Sequence, residues 1–251
     1  MSSHSLYSDA AKSDRSELRG ALEIKLLELT RETHRIALVQ LAQQLNIQSI
    51  KLARQVEDLA ERKLVSRDYE SLQMDAAQRM MLATELIYAG LDPQQVSRFL
   101  EWQEFESFAA ECLERNGFRT VRHLLFKSRI GRREIDLLAW NDSFLLAIDC
   151  KHWLRSFSPS ISRRVAYAQY ERVEALAGRV DVLERHGVEK TEKRVLIPVI
   201  ICLREPRVKI VDGIPIVQIS KLISFLSGIS PIDEGLRWIP IRAQREQTLL
   251  A

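Results

Sequence analysis

Residues 133–153 read "REIDLLAWNDSFLLAIDCKHW", two apolar stretches joined by Asn, Asp and Ser. These three residue types are typical of turns, so the stretch predicts a β-hairpin. With a two-residue turn at Asp142–Ser143, the antiparallel register places Asp136 directly opposite Asp149. Because side chains alternate along a strand, Lys151 shares a face with Asp149. The sequence therefore predicts two carboxylates and one ammonium at the end of one hairpin.

A divalent cation bound by the two opposed carboxylates would offset their mutual repulsion. Like charges directly opposite each other destabilise a sheet, and Mg²⁺ prefers oxygen ligands. The acid-x-Lys spacing alone is uninformative, since it occurs at Glu23/Lys25, Glu61/Lys63 and Asp149/Lys151. The first two pairs lie in predicted amphipathic helices, where a surface ion pair explains them. Only the third lies on an apolar strand with another Asp upstream.

A predicted helix before the hairpin adds a third carboxylate. Residues 102–118, "WQEFESFAAECLERNGF", show helical periodicity and end at Asn116–Gly117, a typical helix stop. Glu106 falls inside the apolar stripe of this helix, whereas Glu104 falls on its polar side. A buried carboxylate without a partner is costly. Glu106 is therefore either a residue at the edge of the stripe that reaches water or part of a site.

The order of these elements resembles the PD-(D/E)XK nuclease superfamily, in particular Mrr-type restriction endonucleases and archaeal Holliday junction resolvases. The similarity covers residues from about 101 to 220 and is carried by "FESFAAECLERNGF" (105–118) and the hairpin. It implies an α/β fold, with a restriction-endonuclease-like mixed central sheet flanked by helices. It also implies hydrolysis of DNA phosphodiester bonds that leaves a 5′-phosphate and a 3′-hydroxyl.

The resemblance also assigns roles to residues. The catalytic set is Glu106, Asp136, Asp149 and Lys151, and Gln169 on the following predicted helix (160–187) is a supporting residue. Mg²⁺, with Mn²⁺ as a substitute, would be held by Asp136, Asp149, the backbone carbonyl of Cys150 and Glu106. Lys151 would position the attacking water or neutralise developing charge. Ile135 occupies the position of the proline in the PD-(D/E)XK motif.

The N-terminal region predicts a second domain. A first helix starts at Ser16, a second runs from Ile36 to about Asn46, and a third is capped by Ser49. A hairpin turns near Arg67–Asp68. This order resembles an all-helical winged helix-turn-helix domain with a small hairpin, whose third helix enters the major groove of DNA. The alternative is a winged helix that contacts protein or forms a dimer.

Two basic stretches flank the predicted site. Residues 119–133 carry six Lys or Arg and no acid, and residues 151–172 carry five and one Glu. A charge run is often only a solvated face, but this placement is suited to a phosphate backbone. The candidate DNA contacts are Lys127, Arg129, Arg132, Arg155, Arg163 and Arg164, together with Lys51 and Arg54 in the winged helix.

The composition is compatible with a DNA-binding nuclease and gives no indication of a membrane-spanning segment. The chain has 251 residues, a net charge of +3 and no apolar run long enough for a membrane span. Its three cysteines are expected to be buried thiols in a reducing cytoplasm. A homodimer is compatible with the resemblance. The predicted organisation is a disordered tail (1–15), a winged helix (16–74), a helical connector (75–100), a nuclease domain (101–230) and a C-terminal tail (231–251).

Two other functions stay open from the sequence. One is a catalytically silent DNA-binding or regulatory protein on a nuclease fold, against which the four intact polar positions argue. The other is an interaction module without nuclease activity, whose winged helix contacts protein.

Overall fold

The structure is a computed structural model that describes residues 20–153, 158–188, 195–229 and 234–241. The chain divides into two compact units, Met1–Glu104 and Phe105–Ala251. No helix in the described ranges is long and apolar enough to cross a membrane. The three cysteines are free thiols. Cys150 and Cys202 are buried as predicted, but Cys112 is only half-buried, so the prediction is wrong for it.

The first unit combines helices with a small sheet. Its three short strands are antiparallel in the order β1-β3-β2. The order of elements is helix, strand, two helices, two strands and two more helices. The bounds are α1 (described over 20–29), β1 Arg35–Ala37, α2 Leu38–Leu45, α3 Ser49–Glu61, β2 Ser66–Arg67, β3 Ser71–Gln73, α4 Ala76–Tyr88 and α5 Pro93–Ser97.

The hairpin predicted near Arg67–Asp68 is confirmed, because β2 pairs with β3, but the domain is not otherwise all-helical, because β1 joins the same sheet. Ile36 pairs with Leu72 of β3 and is buried, so it belongs to the sheet and not to the second helix. Ser49 is the first residue of α3, whose N-cap is Gln48. The apolar face of α3 is confirmed, because Leu52, Val56 and Leu59 are all buried.

A buried ion pair lies inside the first unit. Arg79 of α4 has no exposed surface, and its Nε donates to Oε1 of Glu104 at 2.8 Å. The same guanidinium donates to the carbonyls of Leu27 and Phe99 and to the hydroxyl of Thr30, at 2.6 to 2.8 Å. The prediction that Glu104 faces solvent is therefore wrong, since a partner from another helix allows its burial.

The second unit is built on one mixed sheet flanked by helices. Its strands run in the order β4-β5-β6-β7-β9-β8, and β10 also pairs with β7. The pairs β6–β7 and β7–β9 are parallel and the others antiparallel. Helix α6 Trp102–Glu114 begins with the last three residues of the first unit. The other bounds are β4 Arg119–Ser128, β5 Gly131–Trp140, β6 Leu145–Lys151, α7 Pro159–Ala177, α8 Val180–Arg185, β7 Val195–Cys202, β8 Ile210–Val211, β9 Ile214–Gln218, α9 Leu222–Gly228 and β10 Ile239–Pro240.

Two predictions for the chain that follows the β5–β6 hairpin can be compared with the structure. The long helix predicted over 160–187 is in fact two helices, because the chain leaves helical geometry at Gly178 and Arg179. The hairpin predicted around Asp212–Gly213 is confirmed. Both residues have positive φ, 50° and 79°, as the tight turn between β8 and β9 requires.

The segment predicted as a C-terminal tail contributes to the sheet. In β10, Ile239 pairs with Leu196 and Pro240 with Val195. Ile239 is buried in the core cluster of the unit, and Trp238 packs edge-on against Phe144 with ring centroids 6.2 Å apart.

Candidate active site

The β5–β6 hairpin has the register that the sequence predicts. Leu137 pairs with Ile148 at the end of the ladder, so Asp136 and Asp149 occupy the next opposed positions. At the other end, the N–H of Asn141 donates to the carbonyl of Phe144 at 3.3 Å and closes a two-residue turn. The two carboxylates therefore lie side by side where the strands separate.

Two cationic side chains hold the carboxylate of Asp149, which is 2% exposed. The Nζ of Lys151 donates to Oδ1 at 2.9 Å and lies 2.8 Å from Oδ2, without hydrogen-bond geometry at the second oxygen. The Nη2 of Arg172 on α7 donates to Oδ1 at 2.6 Å. Asp149 is thus a buried anion with two positive neighbours.

Asp136 is held by the backbone of the neighbouring strand. Its Oδ2 accepts the N–H of Cys150 at 2.8 Å. Burial, and then the charge of Asp149, raise the pKa of Asp136 above its ordinary value, and the bond from Cys150 opposes them. Asp136 therefore carries a destabilised negative charge next to a second one.

Glu106 projects from α6 into the same acidic region. It has no exposed surface, and neither of its carboxylate oxygens has a hydrogen-bond partner among the described residues. Its burial excludes the alternative that it reaches water at the edge of the stripe. Burial, and then the charge of Asp136, raise the pKa of Glu106 to about 7. A buried carboxylate without a hydrogen bond favours a nearby cation or a proton.

His123 of β4 lies beside Glu106 and was not anticipated from the sequence. Its Nε2 is 3.5 Å from Oε2 of Glu106, and its Nδ1 is 3.1 Å from Oε1 of Glu134. The backbone of His123 has a φ of 53°, and the residue is missing from an otherwise continuous ladder with β5. A positive φ is uncommon for a histidine within a strand. The sequence did not single out His123, because a lone histidine forms no motif.

Helix α7 contributes a second layer of contacts through Gln169 and Arg172. Gln169 is fully buried, and its Nε2 donates to the carbonyl of Ala147 on β6 at 2.7 Å. Its Oε1 accepts from Nε of Arg172 at 2.9 Å, and Arg172 reaches Asp149. Gln169 is therefore linked to Asp149 through the side chain of Arg172. Arg172 was missed as a site residue, although its i+3 spacing from Gln169 puts both on one side of the helix.

The donor chemistry of the three acids is suited to a hard divalent cation. Asp136 and Asp149 both raise the pKa of Glu106, so the three carboxylates repel one another. Carboxylate oxygens are the ligands that Mg²⁺ prefers, and the unpartnered oxygens of Glu106 would be satisfied by such an ion. In the described ranges, however, no group of three or more His, Cys, Asp or Glu side chains is arranged to hold a metal ion.

The predicted DNA contacts are exposed wherever they are described. Lys127, Arg129 and Arg132 lie at the tip of the β4–β5 hairpin, and Arg163 and Arg164 lie on α7. Arg155 lies outside the described residues. Lys51 and Arg54 are exposed on α3 of the first unit.

Comparisons with known proteins identify the class of the second unit. Residues 97–195 match the Mrr_cat family model, described as restriction endonuclease. This match supports a PD-(D/E)XK-like nuclease fold for the mixed sheet and its helices. The matched range contains all four predicted catalytic residues.

One relative is similar enough over its length to share a family with this chain. An uncharacterized protein of Archaeoglobus fulgidus is 30% identical over 131 residues, which cover 52% of this chain and 92% of that protein. The chain therefore belongs to the same family as this archaeal protein and carries a restriction endonuclease domain.

Two solved structures are similar to parts of the chain. The protein of unknown function AF1548 has 21% identity and a TM-score of 0.30, and covers 47% of this chain. Protein VC1899 from Vibrio cholerae has 15% identity and a TM-score of 0.36, and covers 84% of this chain. This chain spans 57% and 50% of those two structures, respectively.

Proposed function

We propose that the chain is a Mg²⁺-dependent endodeoxyribonuclease. The observation that carries the proposal is the pair Asp136 and Asp149, opposed at the end of a buried hairpin with Lys151 beside them, in a region that matches a restriction endonuclease family. The biological setting is restriction, repair or recombination. Mn²⁺ is expected to replace Mg²⁺.

The metal would be held by Asp136, Asp149, the carbonyl of Cys150 and Glu106. When bound, the ion lowers the pKa of a coordinated water and stabilises negative charge on the scissile phosphate. The ammonium of Lys151, which is 22% exposed, faces the same carboxylate and positions the water or neutralises the phosphate. The carboxylate of Glu106 would orient a water molecule for attack on the phosphate.

DNA is the substrate that the nuclease class implies, and the charge distribution of the chain supports it. The second unit contains 24 Lys and Arg against 18 Asp and Glu, whereas the first contains 13 against 16. The excess positive charge therefore lies on the unit that carries the candidate active site. We assign the main backbone contacts to the exposed residues Lys127, Arg129, Arg132, Arg163 and Arg164, and Arg155 belongs to the same proposal.

For the first unit, a winged helix that aids DNA binding through Lys51 and Arg54 is the leading proposal. A second candidate is contact with a protein, which two observations favour. Helix α3 also carries Glu57, Asp58 and Glu61, and Arg67 of β2 is paired with Glu57 at 2.5 Å. Large apolar side chains are exposed on the same unit at Val39, Ile50 and Tyr69.

Cleavage of labelled duplex, flap and four-way-junction DNA in Mg²⁺, Mn²⁺ or EDTA tests the proposal. We expect metal-dependent cleavage by the wild-type protein and its loss in Asp149→Ala. Asp142→Ala, an exposed aspartate in the turn of the same hairpin, is the matched control and should cleave normally. Equal behaviour of wild type and Asp149→Ala contradicts an active site here. Salt-sensitive DNA binding without cleavage supports the catalytically silent alternative.

The two roles of the first unit are separated by the double variant Lys51→Gln/Arg54→Gln. If the winged helix contacts DNA, its affinity for duplex falls and becomes less dependent on salt. If the unit contacts protein, DNA affinity and cleavage stay at wild-type values.

A further inference from the structure

Asp149 is held by cations from two different elements of the second unit. Lys151 comes from the same strand, and Arg172 comes from α7, 23 residues further along the chain. Lys151 lies within 2.9 Å of both carboxylate oxygens, and Arg172 lies 2.6 Å from Oδ1. Both oxygens of this predicted metal ligand therefore have a cation next to them.

The guanidinium of Arg172 is held in place for this contact. Its Nε donates to Oε1 of Gln169, and the other end of that amide donates to the carbonyl of Ala147. Because Gln169 is fully buried and bonded at both ends, it anchors the Nε side of the guanidinium, and the Nη2 group remains able to exchange one acceptor for another. The side chain of Arg172 is 23% exposed, so a ligand from solvent can still reach it.

A divalent cation at Asp149 has to compete with this contact. A metal ligand presents a lone pair to the ion, and a positive group beside the same oxygen repels the ion as well as blocking it. Lys151 has a role in the proposed reaction beside Asp149. Arg172 has no role there, so it is the cation that can leave Asp149.

We propose that Arg172 is a latch that competes with the divalent metal for Asp149 and opens when DNA is bound. This inference rests on the proposed nuclease function. A phosphate oxygen accepts the same forked N–H donors as a carboxylate, so a backbone phosphate in the site takes over the guanidinium. Asp149 is then released to the metal, and DNA and metal bind cooperatively. By linkage, the metal raises DNA affinity by the same factor.

Metal binding without DNA gives the first test. Mn²⁺ is titrated into the full chain and free Mn²⁺ is followed by electron paramagnetic resonance. Because a positive charge next to the ion is removed, we expect Arg172→Met to bind Mn²⁺ at least about tenfold more tightly than wild type. Arg185→Met, an exposed arginine of α8 paired with Asp181, removes the same charge far from Asp149 in sequence and should leave the affinity unchanged.

Two further variants show whether the gain arises at Asp149. The double variant Arg172→Met/Asp149→Asn should lose the gain, because the released carboxylate is absent. Arg172→Lys keeps the charge without the planar fork, and should lie between wild type and Arg172→Met. It also serves as the test variant if Arg172→Met does not fold. Equal Mn²⁺ affinities of wild type and both Arg172 variants would overturn the latch.

The second test measures the coupling to DNA. The Mn²⁺ titration is repeated with a short phosphorothioate duplex, which resists cleavage. Asp149→Asn with the same duplex gives the background from metal bound to the DNA and to the other acids. We expect the duplex to raise the Mn²⁺ affinity of wild type at least about fivefold, and to have much less effect on Arg172→Met. An equal rise in both proteins would overturn the proposal.

Neither titration depends on strand cleavage, so the two proposals can fail separately. A protein that cleaves DNA but shows no effect of Arg172 on Mn²⁺ binding retains the nuclease function without the latch. A protein that shows both effects of Arg172 without cleaving DNA retains the latch on a catalytically silent site.

Discussion

The side-chain amide of Gln169 on α7 donates a 2.7 Å hydrogen bond to the backbone carbonyl of Ala147 on β6. Both residues are fully buried, so this bond joins the helix to the centre of the sheet without help from water. Ala147 lies two residues before Asp149 on the same strand. The bond therefore fixes α7 next to the strand end that carries the candidate site.

Gln169→Leu should destabilise the second unit by about 1–3 kcal/mol, because it removes buried hydrogen bonds to Ala147 and Arg172. Urea unfolding measures the change. Gln73→Leu, an exposed glutamine on β3, is the comparison and should shift the unfolding free energy by less than about 0.5 kcal/mol. Equal shifts in the two variants would mean that the buried amide contributes no net stability.

Glu106→Gln should stabilise the metal-free protein at high pH and not at low pH. The pKa of Glu106 is raised from 4.5 to about 7, so the folded protein keeps a proton that the unfolded chain releases. Stability is therefore lost as pH rises from 4.5 to 7, and the full penalty, on the order of 3 kcal/mol, is present above pH 7.

Urea unfolding of wild type and Glu106→Gln at pH 5 and pH 8 in EDTA measures this difference. The advantage of the variant should be small at pH 5 and large at pH 8. Saturating Mg²⁺ should reduce it at pH 8, because a bound cation stabilises the ionised carboxylate. An advantage that is the same at both pH values would contradict a raised pKa.

Arg79→Met should destabilise the first unit by about 3–5 kcal/mol, because Glu104 is left as a buried charge without its partner. The double variant Arg79→Met/Glu104→Leu removes both charges and should recover much of that loss. Thermal or urea unfolding of the wild type, the two single variants and the double variant gives the coupling energy. If the double variant is no more stable than Arg79→Met, the buried charge is not the cause of the loss.

Lys127→Gln/Arg132→Gln should weaken duplex binding and reduce its dependence on salt. Each lost phosphate contact lowers the slope of log affinity against log salt by about 0.9. Fluorescence anisotropy at several salt concentrations gives this slope. Lys209→Gln, an exposed lysine that is paired with Glu205, is the control and should leave it unchanged. A double variant with the wild-type slope would place the DNA elsewhere.

The candidate site could be predicted where its residues are close in sequence. Asp136 and Asp149 belong to one hairpin, and the turn composition together with period-two alternation fixes their register. Glu106 could be singled out because a charged residue interrupts an apolar stripe. The contact between Arg172 and Asp149 joins a helix to a strand across a parallel crossover, and no local pattern encodes which helical residue reaches the strand.

Two of the errors have the same cause, a partner that is distant in sequence. Glu104 looks solvent-facing from helical periodicity, because the periodicity does not reveal that Arg79 of another helix covers it. The apolar pattern assigns Ile36 to a helix, because it does not reveal that Leu72 of β3, far along the chain, is its partner. The break at Gly178 is local, but a single glycine does not distinguish a helix end from a tolerated helical position.

The pairing of β10 with β7 sets an order of events during translation. Leu196 is synthesised well before Ile239. The first residues of β7 therefore cannot pair with β10 until the ribosome has made that strand. The strands β1, β2 and β3 of the first unit, by contrast, pair within a short span and need nothing from the later chain. The first unit can therefore fold while the ribosome is still making the second, whose sheet is completed only by one of its last described strands.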